Sequence, residues 1–382
     1  METSLQLARL LLGEDVSEER LTEIITNAFS FDVPVIQLSD RIYALELYHG
    51  PTLSFKDFGA RFMARLMSQL NEGSEMELIV LVATSGDTGS AVAHGFLNVK
   101  GTRVVLLYPS GKVSEIQEKQ LTTAGANITA LEVQGTFDDC QRLVKQSFMD
   151  PDLRKCLRLT SANSINVARL IPQCFYYFYA WTKVEAKDSC VIFSVPSGNY
   201  GNLTAGLLAK KMGLPVARFV AASNSNDVIP EYLRTGWFRP RPSVQTLSNA
   251  MDVGNPSNFA RMLCLYETVD EMRTAVYGSS YSDEEARFAI RELFEKYRYL
   301  AEPHGAIGYL GLKSYLTEYS NAPAGIFLET AHPAKFPEIV SGLLGAQVEM
   351  PAQLKPAFSK QKQSVLISSR YDEFKSFLLQ IG

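Results

Sequence analysis

Residues 78–89 read LIVLVATSGDTG. Six apolar residues run on without alternation and then stop at a polar stretch holding two glycines. A strand with one wet face would alternate, so this run predicts a strand buried on both faces, as in a parallel sheet. The pattern recurs at RVVLLYP (103–109), ITALEV (128–133), CVIFSVP (190–196), RFVAAS (218–223) and GIFLETA (325–331). Helical spacing separates these runs. In FKDFGARFMARLMSQL (55–70) the apolar positions Phe55, Phe58, Phe62, Met63, Leu66 and Leu70 share one face. SEIQEKQLTTAG (114–125) reads as a helix closed by Gly125. NVARLIPQCFYYFYAWTKV (166–184) is a third, which Pro172 is expected to kink or interrupt.

Alternation of strand and helix predicts an α/β fold, with two domains of mainly parallel sheets flanked by helices. The expected division is a smaller domain over 77–180 and a larger one from 1–76 and 181–382. Residues 232–256, rich in Pro, Arg, Asn and Gly, read as a long ordered loop used for binding. The stretch after Pro351 reads as helical and polar, packed on the outside.

The composition excludes several classes. Of 382 residues 46% are hydrophobic and 20% charged, and the net charge is −4, which argues against nucleic acid or an anionic membrane as main partner. Any anion site must then be local, made from a few cations and backbone amides. The five cysteines, Cys140, Cys156, Cys174, Cys190 and Cys264, lack zinc-ligand spacing, so no metal is expected. They read as buried thiols in a reducing compartment. The opening METSLQLARLLLGEDVSEER carries acids early and no basic region before a long apolar core. It does not read as a signal peptide, no run reaches membrane-span length, and a cytoplasmic protein is expected.

Ligands of open α/β sheets lie beyond the carboxyl ends of strands, which directs attention to three polar runs. Thr84-Ser85-Gly86-Asp87-Thr88-Gly89 has two readings: a helix cap, or backbone amides gripping a carboxylate. Ser197-Gly198-Asn199-Tyr200-Gly201-Asn202 is either a turn leading into a helix or a small phosphate cradle, in which glycine admits the anion and the helix dipole favours it. It is neither a Walker A loop nor GxGxxG. Thr330-Ala331-His332-Pro333-Ala334-Lys335-Phe336 is the third. A fourth stretch, HGPTLSFKDFG (49–59), sets Lys56 between phenylalanines. A surface lysine, a phosphate-binding charge and a Schiff-base lysine in a desolvated pocket all suit it. His49, His94, His304 and His332 read as structural residues rather than bases.

A shielded lysine together with a phosphate cradle suggests pyridoxal phosphate. HGPTLSFKDFGARFM, ATSGDTGSAVAHGF, SANSINVARL, VPSGNYGNLTAGLLAKKMG, TLSNAMDVGNPSN, EPHGAIGY and TAHPAKF, in that order, resemble the threonine synthase family from about residue 25 to about residue 350. The resemblance implies a fold-type II pyridoxal-phosphate enzyme, similar to tryptophan synthase β, whose larger domain binds the cofactor and whose 77–180 domain binds substrate. It implies that Lys56 carries the cofactor and moves protons. Gly198, Asn199, Tyr200, Gly201 and Asn202 would hold its phosphate, Thr330 its pyridine nitrogen, and Asp87 would lie near its phenolic oxygen. Thr84, Ser85, Gly86 and Thr88 would bind the substrate carboxylate. The implied reaction turns O-phospho-L-homoserine and water into L-threonine and phosphate. For the leaving phosphate the expected groups are Lys112, Arg169, Ser161, Asn163, Ser164 and Asn166, with Lys335 as a further cation. The same scaffold would suit a phospho-lyase that releases 2-oxobutanoate and ammonia, or a cofactor-binding relative without turnover. Family members usually open with a longer segment, containing a Tyr-Ser-Thr-Arg-Gly-like stretch, before the first helices. A monomer or homodimer acting on a small phosphorylated amino acid is expected.

Overall fold

The computed structural model describes residues 2–184, 190–345 and 347–381. The chain divides into two units. The first is built from residues 1–13, 31–55 and 170–349, the second from 14–30, 56–169 and 350–382.

The first unit holds a six-stranded sheet. Its strands are β1 (Val35–Ser39), β2 (Ile42–Glu46), β7 (Val191–Pro196), β8 (Val216–Ser223), β9 (Val276–Ser280) and β10 (Gly325–Glu329), in the order β1-β2-β10-β7-β8-β9. β1 and β2 form an antiparallel hairpin; every other pairing is parallel. All residues of β7 and β10 are buried, as their unbroken apolar sequences require. The helix Pro303–Glu318 packs on this sheet, and its Leu312 and Tyr309 join Phe327, Ile192 and Val220 in one apolar cluster.

The second unit holds a five-stranded, wholly parallel sheet. It contains β3 (Leu78–Ala83), β4 (Thr102–Pro109), β5 (Ile128–Gln134), β6 (Arg158–Ser161) and β11 (Val365–Ser368), in the order β11-β5-β4-β3-β6. Capping boxes start the helices Glu115–Thr122 and Phe137–Met149 at Ser114 and Thr136. Among the described residues no helix is long and apolar enough to cross a membrane.

Residues 170–180 of the expected 77–180 fall in the first unit, while 14–30, 56–76 and 350–382 join the second unit. Residues 56–76 belong to it because the helix Lys56–Leu70 crosses the helix Asp87–Phe96 closely: a Cβ on Gly95 would lie 3.0 Å from the Ala60 carbonyl. Arg61 fastens residues 14–30 to it, donating to the carbonyls of Ala28 (2.7 Å) and Asn27 (2.8 Å). The C-terminal stretch also differs from expectation. It supplies the edge strand β11 and buries Ile367, Phe374 and Leu378 in the core of this unit. The helix Val167–Lys183 continues through Pro172, which removes one early i→i−4 bond without ending it. Tyr232 lies in a helix, Val228–Thr235, so the expected loop starts later and contains a 3-10 turn at Asn249–Met251. All five cysteines are free, but only Cys140 and Cys174 are buried; Cys156, Cys190 and Cys264 are exposed.

Candidate active site

β7 and β10 are parallel neighbours, so Ser197–Asn202 and Thr330 follow the carboxyl ends of adjacent strands. Ser197 continues the ladder through its N–H to the Ala222 carbonyl (2.8 Å). The chain then turns sharply. Gly198 passes so near the Asn249–Met251 turn that a Cβ would lie 2.4 Å from the Met251 Cα. The Asn199 side-chain oxygen accepts from the Ser257 N–H (2.6 Å) and hydroxyl (3.0 Å). Tyr200 has φ +59°, the left-handed region that a non-glycine residue adopts only when its surroundings hold it there. Its hydroxyl, 2.5 Å from that of Ser223, is the anchor, and burial pushes its phenol well up, so it stays neutral. The helix Gly201–Lys211 then begins with no side chain capping it. The N–H groups of its first turn have no intrahelical acceptor, and a helix start of this kind favours an anion. Asn202 accepts from the hydroxyls of Tyr176 (2.5 Å) and Tyr177 (2.6 Å), while its Nδ2 is buried without a partner among the described residues.

The segment that leads to Lys56 is tied to the end of β10. The Phe55 N–H donates to the Thr330 carbonyl (2.9 Å), Ser54 and Ala331 form an antiparallel bridge, and the His332 N–H donates to the Leu53 carbonyl (3.1 Å). Leu53, at φ +57°, is a second strained residue, and the buried Lys335 donates to the Thr52 carbonyl (3.2 Å). The ammonium of Lys335 thus braces this turn. Burial, then the nearby His49, holds His332 down at about 4, and His304 is engaged by Glu302 (2.5 Å) and the Ala250 N–H (3.2 Å).

Glu329, just before Thr330, was not signalled by sequence. It is fully buried, both carboxyl oxygens lack a partner among the described residues, and a Cβ on Gly305 would lie 2.1 Å from them. Burial, then the charges of Glu302 and Glu46, raises its pKa well above the ordinary carboxyl value, which favours its neutral form. An acid raised in this way adds stability that is complete below its unfolded pKa and is lost as pH rises towards its folded one. Glu329→Gln, which cannot ionise, is therefore expected to unfold with a flatter pH dependence. In urea titrations the variant gains on the wild type as pH rises above about 5, and the gap stays constant below about 4. A gap independent of pH throughout would contradict this.

In the second unit β3 and β6 are parallel neighbours, which brings Thr84–Thr88 beside residues 162–166. The Asn163 amide clasps the end of β3, donating to the Ala83 carbonyl (2.8 Å) and accepting from its N–H (3.3 Å). Asn166 donates to the Ser161 carbonyl (3.0 Å) and accepts from the Ala168 N–H (3.0 Å). Both carboxamides are thereby committed to main chain, while Ser161 is buried and Ser164 half-buried. Thr84 Oγ1 accepts from the N–H groups of Gly86 (3.0 Å) and Gly89 (2.8 Å), shaping the loop from within. Ser85 is exposed and Thr88 half-buried. Lys56 opens the helix Lys56–Leu70 and is half-buried. Arg169 is buried against Gly59, donates to the Ala162 carbonyl (2.7 Å) and feels the charge of Asp57. Burial pulls its guanidinium down to about 10, which leaves it charged at neutral pH. Lys112 is exposed, two residues beyond Ser110 after β4.

Gln117 is a further residue that sequence reasoning missed. Its Nε2 donates to Asp87 Oδ1 (3.1 Å), and its Oε1 accepts from the Ser114 N–H (3.3 Å) in a capping box. Gly86 makes room for it: at φ +141° a Cβ there would lie 2.3 Å from the Gln117 side-chain carbon. Gln117→Ala removes both bonds and is expected to lower the unfolding free energy by about 1–2 kcal/mol in urea titration. A loss under about 0.3 kcal/mol would show the bridge to be idle.

The uncapped helix start, the unpartnered Asn202 donor and the polar ends of both sheets are features of a cofactor-dependent α/β enzyme. The family model described as "Pyridoxal-phosphate dependent enzyme" matches residues 29–325, and "Threonine synthase, C-terminal" matches 305–378. This is a fold-type II enzyme that depends on pyridoxal phosphate. The threonine synthase of Serratia marcescens is 45% identical over 98% of this chain and 86% of its own length. The crystal structure of Escherichia coli threonine synthase aligns with a TM-score of 0.91 at 40% identity, covering 99% of this chain and 87% of that one. The pyridoxal-phosphate-bound threonine synthase of Brucella melitensis aligns with a TM-score of 0.92 at 31% identity, covering 99% and 88%. The chain belongs to the threonine synthase family.

Proposed function

We propose that the chain acts on O-phospho-L-homoserine, a small phosphorylated amino acid, and adds water to give L-threonine and phosphate, working in the cytoplasm as a monomer or homodimer. The observation that carries the assignment of residues is the clamp of Leu53–Phe55 on Thr330–His332. It fixes the approach to Lys56 by the main chain of Thr330. The cradle suits a phosphate: donors are in surplus, and no carboxylate occurs in Ser197–Thr204.

Pyridoxal phosphate supplies the electron sink that makes the substrate's Cα and Cβ protons labile. The other roles fall to the chain. The amides of Gly198, Asn199, Tyr200, Gly201 and Asn202, at the start of a helix, hold the cofactor phosphate. The Thr330 hydroxyl would bond the pyridine nitrogen; a neutral group there would avoid forcing a proton onto the ring. Asp87, oriented by Gln117, would lie near the phenolic oxygen. Thr84, Ser85, Gly86 and Thr88, at the start of the helix Asp87–Phe96, would bind the substrate carboxylate. Lys56 would carry the cofactor, and its amine would hold and move protons at Cα and Cβ of the substrate. Arg169, charged at neutral pH, and Lys112 offset the charge of the leaving phosphate. Ser161 and Ser164 add hydroxyl donors, while Asn163 and Asn166 hold the loop that carries them.

Adding pyridoxal phosphate to purified protein should produce a visible absorption band, and O-phospho-L-homoserine should then shift it. A protein that develops no band would overturn the proposal.

A further inference from the structure

The phosphate cradle has a buried support that no motif announces. Tyr176 and Tyr177, on the helix Val167–Lys183, both direct their hydroxyls at Asn202 Oδ1, at 2.5 and 2.6 Å. Such lengths are those of O–H···O bonds rather than N–H···O bonds, which centre near 2.9–3.0 Å. Asn202 Oδ1 is the nearest acceptor of each hydroxyl, nearer than the Asn202 carbonyl is to Tyr177 (3.0 Å) or Gln173 Oε1 to Tyr176 (3.4 Å), which sets the amide with its oxygen towards the tyrosines and its nitrogen away. The nitrogen then has no partner among the described residues, although it is buried. An unmade donor in such a place is costly unless something outside the protein accepts from it.

The surroundings hold the pair rigidly. Tyr177 packs edge-on against Phe193 (centroids 5.0 Å apart) and Phe219 (5.7 Å), and lies 5.0 Å from Tyr176. One turn beyond Asn202, Gly206 lacks a side chain where a Cβ would meet the Tyr177 ring at 3.0 Å and the Phe219 ring at 2.5 Å. Burial raises both phenols well above their ordinary value, so they remain proton donors across the working pH range. A histidine or a carboxylate in this position would change its donor state with pH; two buried phenols do not.

We propose that Tyr176 and Tyr177 are positioning residues that lock the Asn202 carboxamide with its nitrogen facing the cofactor phosphate. The inference rests on the cofactor reading above. It predicts that the tyrosines act through Asn202 and have no effect on the cofactor without it.

The test is a double-mutant cycle. Tyr176→Phe plus Tyr177→Phe is combined with Asn202→Ala, and each protein, resolved from cofactor, is titrated with pyridoxal phosphate by its visible band. The phosphorus NMR shift of the bound phosphate is recorded for each. In the native background the paired Phe substitutions should weaken binding about tenfold and move the phosphorus resonance, as expected for a lost charge-assisted bond. In the Asn202→Ala background they should change the dissociation constant less than twofold and leave the resonance in place. Equal weakening in both backgrounds, or an unmoved resonance in the native background, would overturn the proposal. Should the paired variant fold poorly, Tyr176→Phe alone, which leaves the tightly packed Tyr177 intact, replaces it in the same cycle. Wild-type protein that gives no band and no bound phosphorus signal would overturn the cofactor reading as well, so the two failures are distinguishable.

Discussion

Lys56→Ala is expected to reduce kcat by about 10⁴-fold or more and to remove the absorption band that the cofactor forms with the protein amine, while the protein remains folded. The residue opens a helix, where alanine is well tolerated, and its side chain is only half-buried, so no large cavity is left. The clamp that delivers it is made by main-chain atoms of Leu53, Ser54 and Phe55 and survives the substitution. What disappears is the amine. No neighbouring group in the proposed scheme replaces it as covalent attachment and proton carrier, because Lys112 is assigned to the leaving phosphate and the Lys335 ammonium is engaged with the Thr52 carbonyl. The cradle is untouched, so affinity for the cofactor falls far less than turnover. Activity within tenfold of wild type would remove Lys56 from the mechanism.

Gly198→Ala should be the most damaging single-carbon change in the cradle. The added Cβ would lie 2.4 Å from Met251 Cα and 2.8 Å from its carbonyl carbon and oxygen, which are main-chain atoms that cannot swing aside. The opposing turn is itself fixed: the Met251 N–H donates to the Ser248 carbonyl (2.8 Å), the Ala250 N–H to His304 (3.2 Å), and Asn224 holds Ser248 and Asp252. The loop of Ser197–Tyr200 must therefore give way, and Tyr200 has no slack in its left-handed conformation. Overpacking of this kind costs about 1–3 kcal/mol of stability. A displacement near 1 Å at the cradle is expected to weaken the cofactor or slow turnover about 10²-fold. Cofactor affinity and kcat/KM both within threefold of wild type would contradict the close approach.

The parallel strands are legible in the sequence because burial on both faces forbids alternation. LIVLVA, VIFSVP and GIFLE carry no polar side chain to the solvent except where a serine or a glutamate is itself buried. β6 and β11 are not legible. Four residues such as RLTS or VLIS do not establish a period, and β11 pairs with a strand more than two hundred residues earlier. The same limit hides the unit boundaries, since Phe374 and Leu378 look like an ordinary amphipathic helix until the core that receives them is known. At the site, the short polar runs after buried strands stand out, and with Lys56 they suggest the cofactor. Their supports do not stand out. Gln117 is thirty residues from Asp87, Tyr176 and Tyr177 read as apolar helix, and Glu329 reads as the end of a strand. Each acquires its role from a partner distant in the chain, which local pattern cannot register.

The most direct measurement is phosphorus and proton NMR of the purified protein with pyridoxal phosphate and O-phospho-L-homoserine. The account predicts inorganic phosphate and L-threonine in equal amounts. Phosphate accompanied by 2-oxobutanoate and ammonia in place of threonine would contradict it, as would an unchanged substrate in a protein that holds the cofactor.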